Sequence, residues 1–248
     1  MNYWQSIAHE HYTELRLQRP PVNAVNADAL DEFIQFISSL DCQNSFHCIV
    51  LSGRVQSPSG KSCFCAGADL KERATWSAEQ IIAHTQKQRN ALRTFAKMPA
   101  YKIALIDGVA LGLGVELCLC CDYRVASKSA TCALPESKHG IIPGAGATAW
   151  LLCERQNRVA LLHALSAKPF SAKEAQVLGI FDEILPDAAS AEQRVMEIAS
   201  EIAASSGEAK LALLRARGAY YNDDRAWEVE ENAYNALIRS GNFSAKLP

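Results

Sequence analysis

Two glutamates in this chain lie beside glycine-containing or proline-containing turns, at positions that suit acid–base chemistry. Glu116 follows Gly112-Leu113-Gly114 in the first turn of a predicted helix, where the helix dipole favours an ionised carboxylate. Glu136 follows Leu134-Pro135 in a predicted loop, and we expect it to hold its proton more readily. Adding water to a conjugated double bond requires a base at one carbon and an acid at the next. A glutamate in a first helical turn is also common as a favourable charge, so position alone leaves both roles open.

Two short turns are candidates to supply backbone N–H donors near these glutamates. Gly112-Leu113-Gly114 lies between a predicted strand and a predicted helix, and Ala66-Gly67-Ala68 follows another strand region. A glycine-flanked turn that opens a helix exposes free N–H groups, and the helix dipole favours negative charge there. If both turns direct one N–H at the same oxygen, they form an oxyanion hole, in which each donor is typically worth roughly 3–4 kcal/mol. Close packing is the alternative explanation of either turn taken alone.

The cysteines and histidines do not form a metal-binding pattern. Nine cysteines are present, but Cys118, Cys120 and Cys121 lie in the apolar segment VELCLCCDYRVA, where thiols pack as small hydrophobic groups. A zinc site would need paired clusters at ligand spacing, which the cysteines do not supply. Glu136 and His139 have the Glu-x-x-His spacing of di-iron bundle proteins, but that site requires a second such pair. We therefore expect reduced core cysteines and no metal.

The apolar pattern predicts alternating strands and helices. An amphipathic helix is indicated by one apolar stripe, formed by Leu30, Phe33, Ile34, Ile37 and Leu40. Other predicted elements are two short strands in Ser6–Leu17, strands at 47–52, 102–107 and 122–127, and a buried helix at 114–121. Strand–helix–strand order implies parallel pairing with helices on the sheet faces. The fold class expected from these patterns is therefore α/β.

Helix starts and the last third of the chain complete the predicted organisation. Three starts carry a Ser-x-x-Glu/Gln capping box, namely Ser77/Gln80, Ser171/Glu174 and Ser190/Gln193. From Ser190 onward the pattern is helical only, with further segments around 211–219 and 227–238. We therefore predict an α/β core over residues 1–186 and a C-terminal helical region over 187–248 that packs on the sheet or on another subunit.

Composition and charge exclude several classes of protein. The 248 residues carry a formal net charge of −2, which gives no electrostatic reason to expect a nucleic-acid partner. No apolar run approaches the roughly 18 residues needed to cross a bilayer. The start MNYWQSIAHEHYTEL lacks the basic-then-apolar order of a secretion signal. We therefore expect a cytoplasmic protein that binds neither nucleic acid nor membrane.

Several motifs occur together and in a fixed order along the chain. They are Arg19-Pro20 with NAVN (23–26), CAGADLKE (65–72), IDGVALGLGVEL (106–117), PESKHGIIPGAG (135–146) and PFSAKEAQVLGIFDEILP (169–186). With these motifs the chain resembles the enoyl-CoA hydratase/isomerase superfamily, the crotonases. The resemblance covers most of the chain. It implies a crotonase-like core, a spiral of ββα units, followed by a C-terminal helical region.

The resemblance also assigns roles to the residues singled out above. It places the oxyanion hole on the backbone N–H groups of Ala68 and Leu113. In crotonases that hydrate, the residue matching Glu116 activates water for attack at Cβ, and the residue matching Glu136 exchanges the proton at Cα. The implied activity is that of an enoyl-CoA hydratase, a lyase of fatty-acid metabolism. Coenzyme A is then part of the substrate, and no separate cofactor is expected.

Further residues are implied to contact the acyl-CoA thioester. They are Ala24, Ala66, Gly67, Asp69, Leu70, Lys71, Gly112 and Gly144. Lys71 lies on the loop that in the family frames the adenine and phosphates of coenzyme A, and a solvated turn is its alternative interpretation. The family also forms trimers and dimers of trimers, so a homo-oligomer is expected. Asp122 is expected to pair structurally.

The sequence departs from the family pattern at one position, and three competing functions remain open. Many relatives have three glycines where this chain has Gly112-Leu113-Gly114, so Leu113 adds bulk near the acyl channel. Another crotonase reaction is one competing function, including an enoyl-CoA isomerase or a methylglutaconyl-CoA hydratase. RNA binding, which in some relatives uses a lysine-rich helix, is disfavoured because the matching segment NADALDEFIQFISSL has no lysine. A non-catalytic scaffold is the third.

Overall fold

A computed structural model describes residues 3–40, 47–153, 158–205, 207–220, 225–241 and 243–245. The strands of this part of the chain are β1 (Trp4–Ala8), β2 (Thr13–Leu17), β3 (Cys48–Gly53), β4 (Val55–Gln56), β5 (Ser62–Cys65), β6 (Tyr101–Ile106), β7 (Val109–Leu111), β8 (Tyr123–Ser127), β9 (Thr131–Ala133), β10 (Phe170–Ser171) and β11 (Glu183–Leu185). The α-helices are α1 (Ala27–Ser39), α2 (Leu70–Arg73), α3 (Ala78–Lys97), α4 (Leu113–Leu119), α5 (Arg158–Ser166), α6 (Ala172–Val177), α7 (Ala188–Ala203), α8 (Gly207–Tyr220) and α9 (Arg225–Arg239). A 3-10 helix spans Glu136–His139, and a π-helix spans Thr148–Cys153.

Two sheets carry the core. The larger has the strand order β1-β2-β3-β6-β8-β11, in which only the β1–β2 pair is antiparallel. The smaller has the order β10-β9-β7-β5-β4, with parallel pairing of β5, β7 and β9. The predicted parallel pairing is confirmed. The smaller sheet was not predicted, because strands of two to four residues are too short to show a period-two pattern.

The apolar stripe predicted for the first helix faces the core. In α1 the residues Ala29, Leu30, Phe33 and Ile37 are buried, and the side chain of Asn26 caps the helix by accepting from the N–H of Ala29. Strand β3 is buried along its whole length, which is typical of a parallel strand covered on both faces. The seven cysteines whose side chains the structure describes are all buried and free, as predicted.

Two of the three predicted capping boxes are present, and the prediction of the third, at Ser190/Gln193, is wrong. Both reciprocal bonds form at the starts of α3 and α6, at Ser77/Gln80 and Ser171/Glu174. Helix α7 instead begins one turn before Ser190. Its N-cap is Asp187, whose carboxylate accepts from the N–H of Ser190 at 2.8 Å. An aspartate is as good an N-cap as a serine, so the helix starts at the first such residue.

The predicted C-terminal helices are confirmed as α7, α8 and α9. The apolar face of α7 packs on the larger sheet through Val195, Ile198 and Ala199. Helix α9 packs against α3. The expected structural pairing of Asp122 is also present, since its carboxylate contacts Lys102 and Arg217. No helix among the described residues is long and apolar enough to cross a membrane.

Asn23 ties the loop before α1 to strand β5. The residue is fully buried and has a positive φ of 54°, a conformation that asparagine tolerates better than most residues. Its side-chain Nδ2 donates to the carbonyls of Cys63 and Phe64 at 3.3 and 3.0 Å, and its Oδ1 accepts from the N–H of Arg19 at 2.7 Å. These bonds fix the strand that leads into the Ala66-Gly67-Ala68 turn.

Replacing Asn23 with alanine removes these three bonds and puts an unsuited residue at positive φ. We expect Asn23→Ala to lower the free energy of unfolding by about 2–4 kcal/mol, measured by urea denaturation. The matched control is Asn90→Ala on the exposed face of α3, where we expect a change within about 0.5 kcal/mol. Equal effects of the two substitutions would show that Asn23 does not fasten the loop.

Candidate active site

The two predicted turns meet at one edge of the smaller sheet. Strands β5 and β7 are parallel neighbours, so their carboxyl ends emerge on the same side, and each continues into one turn. A Cβ on Gly67 would lie 2.8 Å from the carbonyl oxygen of Leu111, and a Cβ on Gly114 would lie 2.4 Å from that of Cys65. Gly67 and Gly112 also have positive φ values of 96° and 51°. Glycine is therefore required for the close approach of the two turns.

The backbone N–H groups of Ala68 and Leu113 are directed by the structure around them. Val25 donates to Gly67 O at 2.8 Å and accepts from the N–H of Asp69 at 2.9 Å. The Gly67 carbonyl and the Ala68 N–H belong to one trans peptide group and point in opposite directions, so the N–H of Ala68 points away from Val25. Leu113 is the first residue of α4, so its N–H has no partner within the helix. Both residues line one cavity of about 70 Å³.

Glu116 lies in the wall of this cavity and is 3% exposed. Its Oε1 accepts from the N–H groups of Ala145 and Ala147, at 2.7 and 3.1 Å. Burial raises the pKa of Glu116, and the two N–H donors oppose that rise by stabilising the carboxylate. Two direct hydrogen bonds therefore hold the Glu116 carboxylate in place and add to the stabilisation predicted from the helix dipole.

Glu136 lines the same cavity from the first position of the 3-10 helix, where a loop was predicted. A Cβ on Gly112 would lie 2.7 Å from Glu136 Oε1, so a side chain at this position would displace the carboxyl group. Part of the Glu136 residue is exposed, but its Oε2 is buried and has no hydrogen-bond partner among the described residues. Burial, followed by the charge of Glu116, raises the pKa of Glu136 to about 8. Of the two carboxyl groups, Glu116 has the better-stabilised anion and Glu136 holds its proton more readily.

The other sequence-predicted residues divide into two groups. Five line the cavity: Ala66, Gly67, Leu70, Gly112 and Gly144. Ala24, Asp69 and Lys71 do not. Asp69 caps α2 and pairs with Arg19 at 2.9 Å, and Ala24 O accepts from the same guanidinium at 3.0 Å. Lys71 is exposed. In the structure Ala24 and Asp69 therefore fasten the loop beside the cavity, and a contact with coenzyme A stays a prediction for these three residues.

A group of buried polar side chains in the cavity wall was missed by the sequence reasoning. It consists of Arg73, Thr85, Gln88 and Tyr234. Thr85 and Gln88 interrupt the buried stripe of α3 between Ile81 and Leu92, and polar residues in a buried stripe are the signal that was available. Tyr234 comes from α9, so the cavity is not confined to residues 1–186. No signal in the sequence places α9 there.

Next to this wall a buried arginine lies close to a buried glutamate. Arg89 is 2% exposed, and its Nε lies 3.7 Å from Oε1 of Glu230, which is fully buried. Oε2 of Glu230 accepts from the N–H of Thr148 at 3.0 Å. Burial, followed by the charge of Glu116, raises the pKa of Glu230 to about 8. Among the described residues, no cluster of His, Cys, Asp and Glu has the arrangement of a metal site.

Comparison with known proteins agrees with this geometry. Residues 9–237 match the family model described as enoyl-CoA hydratase/isomerase. The chain is 32% identical to the putative enoyl-CoA hydratase/isomerase YngF of Bacillus subtilis (strain 168), over 94% of this chain and 88% of that protein. It is 35% identical to human mitochondrial methylglutaconyl-CoA hydratase, over 66% of this chain and 47% of that protein. A crystal structure of an enoyl-CoA hydratase from Bacillus anthracis is similar at a TM-score of 0.79 and 28% identity, over 96% of this chain and 92% of that one.

The chain belongs to the enoyl-CoA hydratase/isomerase family. The family resemblance stated from the motifs is confirmed, and so is the crotonase-like α/β fold. At about 32% identity the relatives do not distinguish between hydratase and isomerase reactions, so the reaction has to be argued from the cavity itself.

The contact between Gly114 and Cys65 can be tested by adding one methyl group. Alanine normally stabilises a helix relative to glycine by up to about 1 kcal/mol, but here its Cβ would meet the backbone of Cys65. We expect Gly114→Ala to destabilise the fold by at least about 1–3 kcal/mol, measured by urea denaturation. Gly207→Ala in α8, where an added Cβ meets nothing within 4 Å, should be neutral or stabilising. A stabilising effect of Gly114→Ala would contradict the close approach of the turns.

Proposed function

We propose that this protein is an enoyl-CoA hydratase, which adds water across the α,β double bond of an enoyl-CoA thioester. The observation that carries the proposal is one cavity with two buried carboxyl groups in different environments. Glu116 accepts two backbone N–H bonds, whereas Oε2 of Glu136 has no partner among the described residues. A base and an acid are thus held side by side.

The proposed mechanism begins with the thioester carbonyl. Its oxygen accepts from the N–H groups of Ala68 and Leu113, which stabilise the negative charge that develops on it as the enolate forms. Glu116, as the carboxylate, takes a proton from water while the water oxygen bonds to Cβ. Glu136, as the neutral acid, gives its proton to Cα. Proton exchange with solvent then restores both glutamates.

The pair of carboxyl groups is also what favours hydration over isomerisation. Moving a double bond requires a proton to leave one carbon and enter another, which a single carboxyl group can do in turn. Glu116 would then have no role that explains its two backbone donors. A methylglutaconyl thioester is a second candidate substrate, supported by the 35% identity to the human hydratase of that name. The absence of turnover on a panel of acyl-CoA thioesters would instead support an RNA-binding or non-catalytic homologue.

A homo-oligomer, a trimer or a dimer of trimers, is part of the proposal. Helix α5 supports it, because Val159, Leu162 and Leu165 are more than half exposed. Apolar side chains grouped on one helix are typical of interfaces. A cytoplasmic location and the absence of a separate cofactor also remain proposals.

The proposed mechanism requires both glutamates for hydration. We expect Glu116→Gln and Glu136→Gln each to lower kcat for hydration of crotonyl-CoA by at least roughly 100-fold, the usual effect of losing a general acid or base. The loss of the conjugated enoyl absorbance measures the rate, and circular dichroism checks the fold. A rate near that of the wild type in either variant would remove that glutamate from the mechanism. Supplying a β,γ-enoyl-CoA tests for isomerase activity, for which we expect Glu136→Gln to abolish formation of the conjugated product and Glu116→Gln to retain it.

The proposed acid role of Glu136 makes the rate of hydration depend on pH. Because the raised pKa of Glu136 is about 8, its acid form predominates below that pH and disappears above it. We therefore expect kcat/KM to fall as the pH rises through about 8, with an apparent pKa that belongs to the coupled pair of glutamates. The residual activity of Glu136→Gln should lack this descending limb. A wild-type profile that stays level up to about pH 10 would contradict the acid role of Glu136.

A further inference from the structure

The guanidinium of Arg73 is buried in the cavity wall without an anionic partner. The residue is 6% exposed. Its hydrogen-bond acceptors are both neutral groups, Tyr234 Oη at 3.2 Å from Nη1 and Gln88 Oε1 at 2.6 Å from Nη2. Within the described residues, no carboxylate oxygen lies within the 4.0 Å of an ion pair. A buried cation is costly unless an anion accompanies it.

Two buried donors beside this guanidinium also lack acceptors. Arg73 Nε and Gln88 Nε2 have no hydrogen-bond partner in the described part of the chain. Both residues line the cavity that holds Glu116 and Glu136. A buried N–H group is normally satisfied, so two orphaned donors on one wall indicate an acceptor that a ligand brings.

Among the described residues, none of the buried carboxyl groups near the cavity forms an ion pair with Arg73. Glu116 accepts from Ala145 and Ala147, and Glu136 lies against Gly112. Glu230 binds Thr148 and Arg89. The positive charge of Arg73 does lower the pKa of both cavity glutamates, but burial and other contacts have larger effects on each. Arg73 therefore lies in electrostatic range of these acids without being paired with one.

The polar group lies at the deep end of the cavity. Thr85, Gln88 and Tyr234 are each at most 2% exposed, whereas Ala66 and Ala68 of the first turn are partly exposed. A thioester whose oxygen is held by the two turns would direct the far end of its acyl chain toward this buried wall of the same cavity. An acyl chain that ends in a methyl group would leave the guanidinium and both donors unsatisfied.

We propose that the preferred substrates are enoyl thioesters whose acyl chain ends in a carboxylate, and that Arg73 and Gln88 bind this carboxylate. The proposal rests on the proposed hydratase function for the reacting end of the substrate, and it adds the chemistry of the other end. The carboxylate supplies the missing negative charge and accepts from Arg73 Nε and Gln88 Nε2. Arg73 and Gln88 then determine specificity, and Tyr234 orients the guanidinium through its hydroxyl group.

Binding of saturated thioesters tests this proposal without turnover. Glutaryl-CoA and 5-methylhexanoyl-CoA have the same shape at the chain end, with a carboxylate in one and two methyl groups in the other. We expect the wild-type protein to bind glutaryl-CoA roughly tenfold to hundredfold more tightly, measured by isothermal titration calorimetry. Equal affinities, or tighter binding of 5-methylhexanoyl-CoA, would overturn the proposal.

Variants then assign the preference to particular residues. Arg73→Met should abolish or reverse the preference for glutaryl-CoA. Arg73→Lys should keep part of this preference, because the charge remains without the planar fork. Gln88→Met should weaken the preference. Arg54→Met is the matched control, because Arg54 is exposed and pairs with Glu192 outside the cavity; it should keep the full preference. If Arg73→Met is folded by circular dichroism and keeps the preference, Arg73 does not bind the carboxylate. If it is unfolded, Arg73→Lys and Gln88→Met decide the question in the same way.

Turnover measurements distinguish a failure of the carboxylate site from a failure of the hydratase function. The corresponding unsaturated pair is glutaconyl-CoA and 5-methylhex-2-enoyl-CoA, for which we expect kcat/KM of the wild type to favour glutaconyl-CoA by roughly tenfold or more. A binding preference for glutaryl-CoA with no hydration of either compound would overturn the hydratase function and leave the carboxylate site standing. Hydration of both with equal kcat/KM would overturn the carboxylate site and leave the hydratase function standing.

Discussion

The structure of the site depends on the contact between two backbone turns that no side chain separates. The turn after β5 and the turn after β7 approach so closely that a Cβ on Gly67 would overlap the carbonyl oxygen of Leu111 at the end of β7, and a Cβ on Gly114 that of Cys65 at the end of β5. This contact places the N–H groups of Ala68 and Leu113 on one cavity. Without it, the two donors would belong to separate loops and could not bind one oxygen atom.

The two glutamates are positioned from the same turn. Gly112 O accepts from the N–H groups of Val115 and Glu116, which begins α4 and sets the direction of Glu116. The missing side chain of Gly112 also leaves the space that Oε1 of Glu136 occupies. One residue therefore joins the proposed oxyanion donor, the proposed base and the proposed acid. The difference in proton affinity between the glutamates then follows from their partners, since only Glu116 accepts backbone N–H bonds from the next loop.

The sequence predicted those parts of the site that local motifs encode. Ala68, Leu113, Glu116 and Glu136 lie within short segments whose residue types suit turns and helix starts, and the structure brings all four to one cavity. Their catalytic roles remain a proposal. The start of α7 was misplaced because Asp187 and Ser190 are both good N-caps, and the local pattern does not rank them.

The polar wall of the cavity could not be predicted, because it is assembled from distant parts of the chain. Arg73 meets Gln88 across 15 residues and Tyr234 across 161. Contacts of that separation depend on the packing of α9 on α3, which apolar periodicity does not specify. The polar wall of the cavity is therefore a property of the tertiary structure.

The proposed mechanism requires two backbone N–H groups to polarise the thioester carbonyl, and the stretching frequency of that carbonyl measures the polarisation directly. Isotope-edited infrared difference spectra of butyryl-CoA labelled with ¹³C at the thioester carbonyl would be compared for the bound and free ligand. Two donors on one oxygen predict a bound carbonyl band shifted to lower frequency than in water, because hydrogen bonding weakens the C=O bond. A bound band at or above the frequency in water would mean that the carbonyl is not held by Ala68 and Leu113, and it would contradict the proposed mechanism.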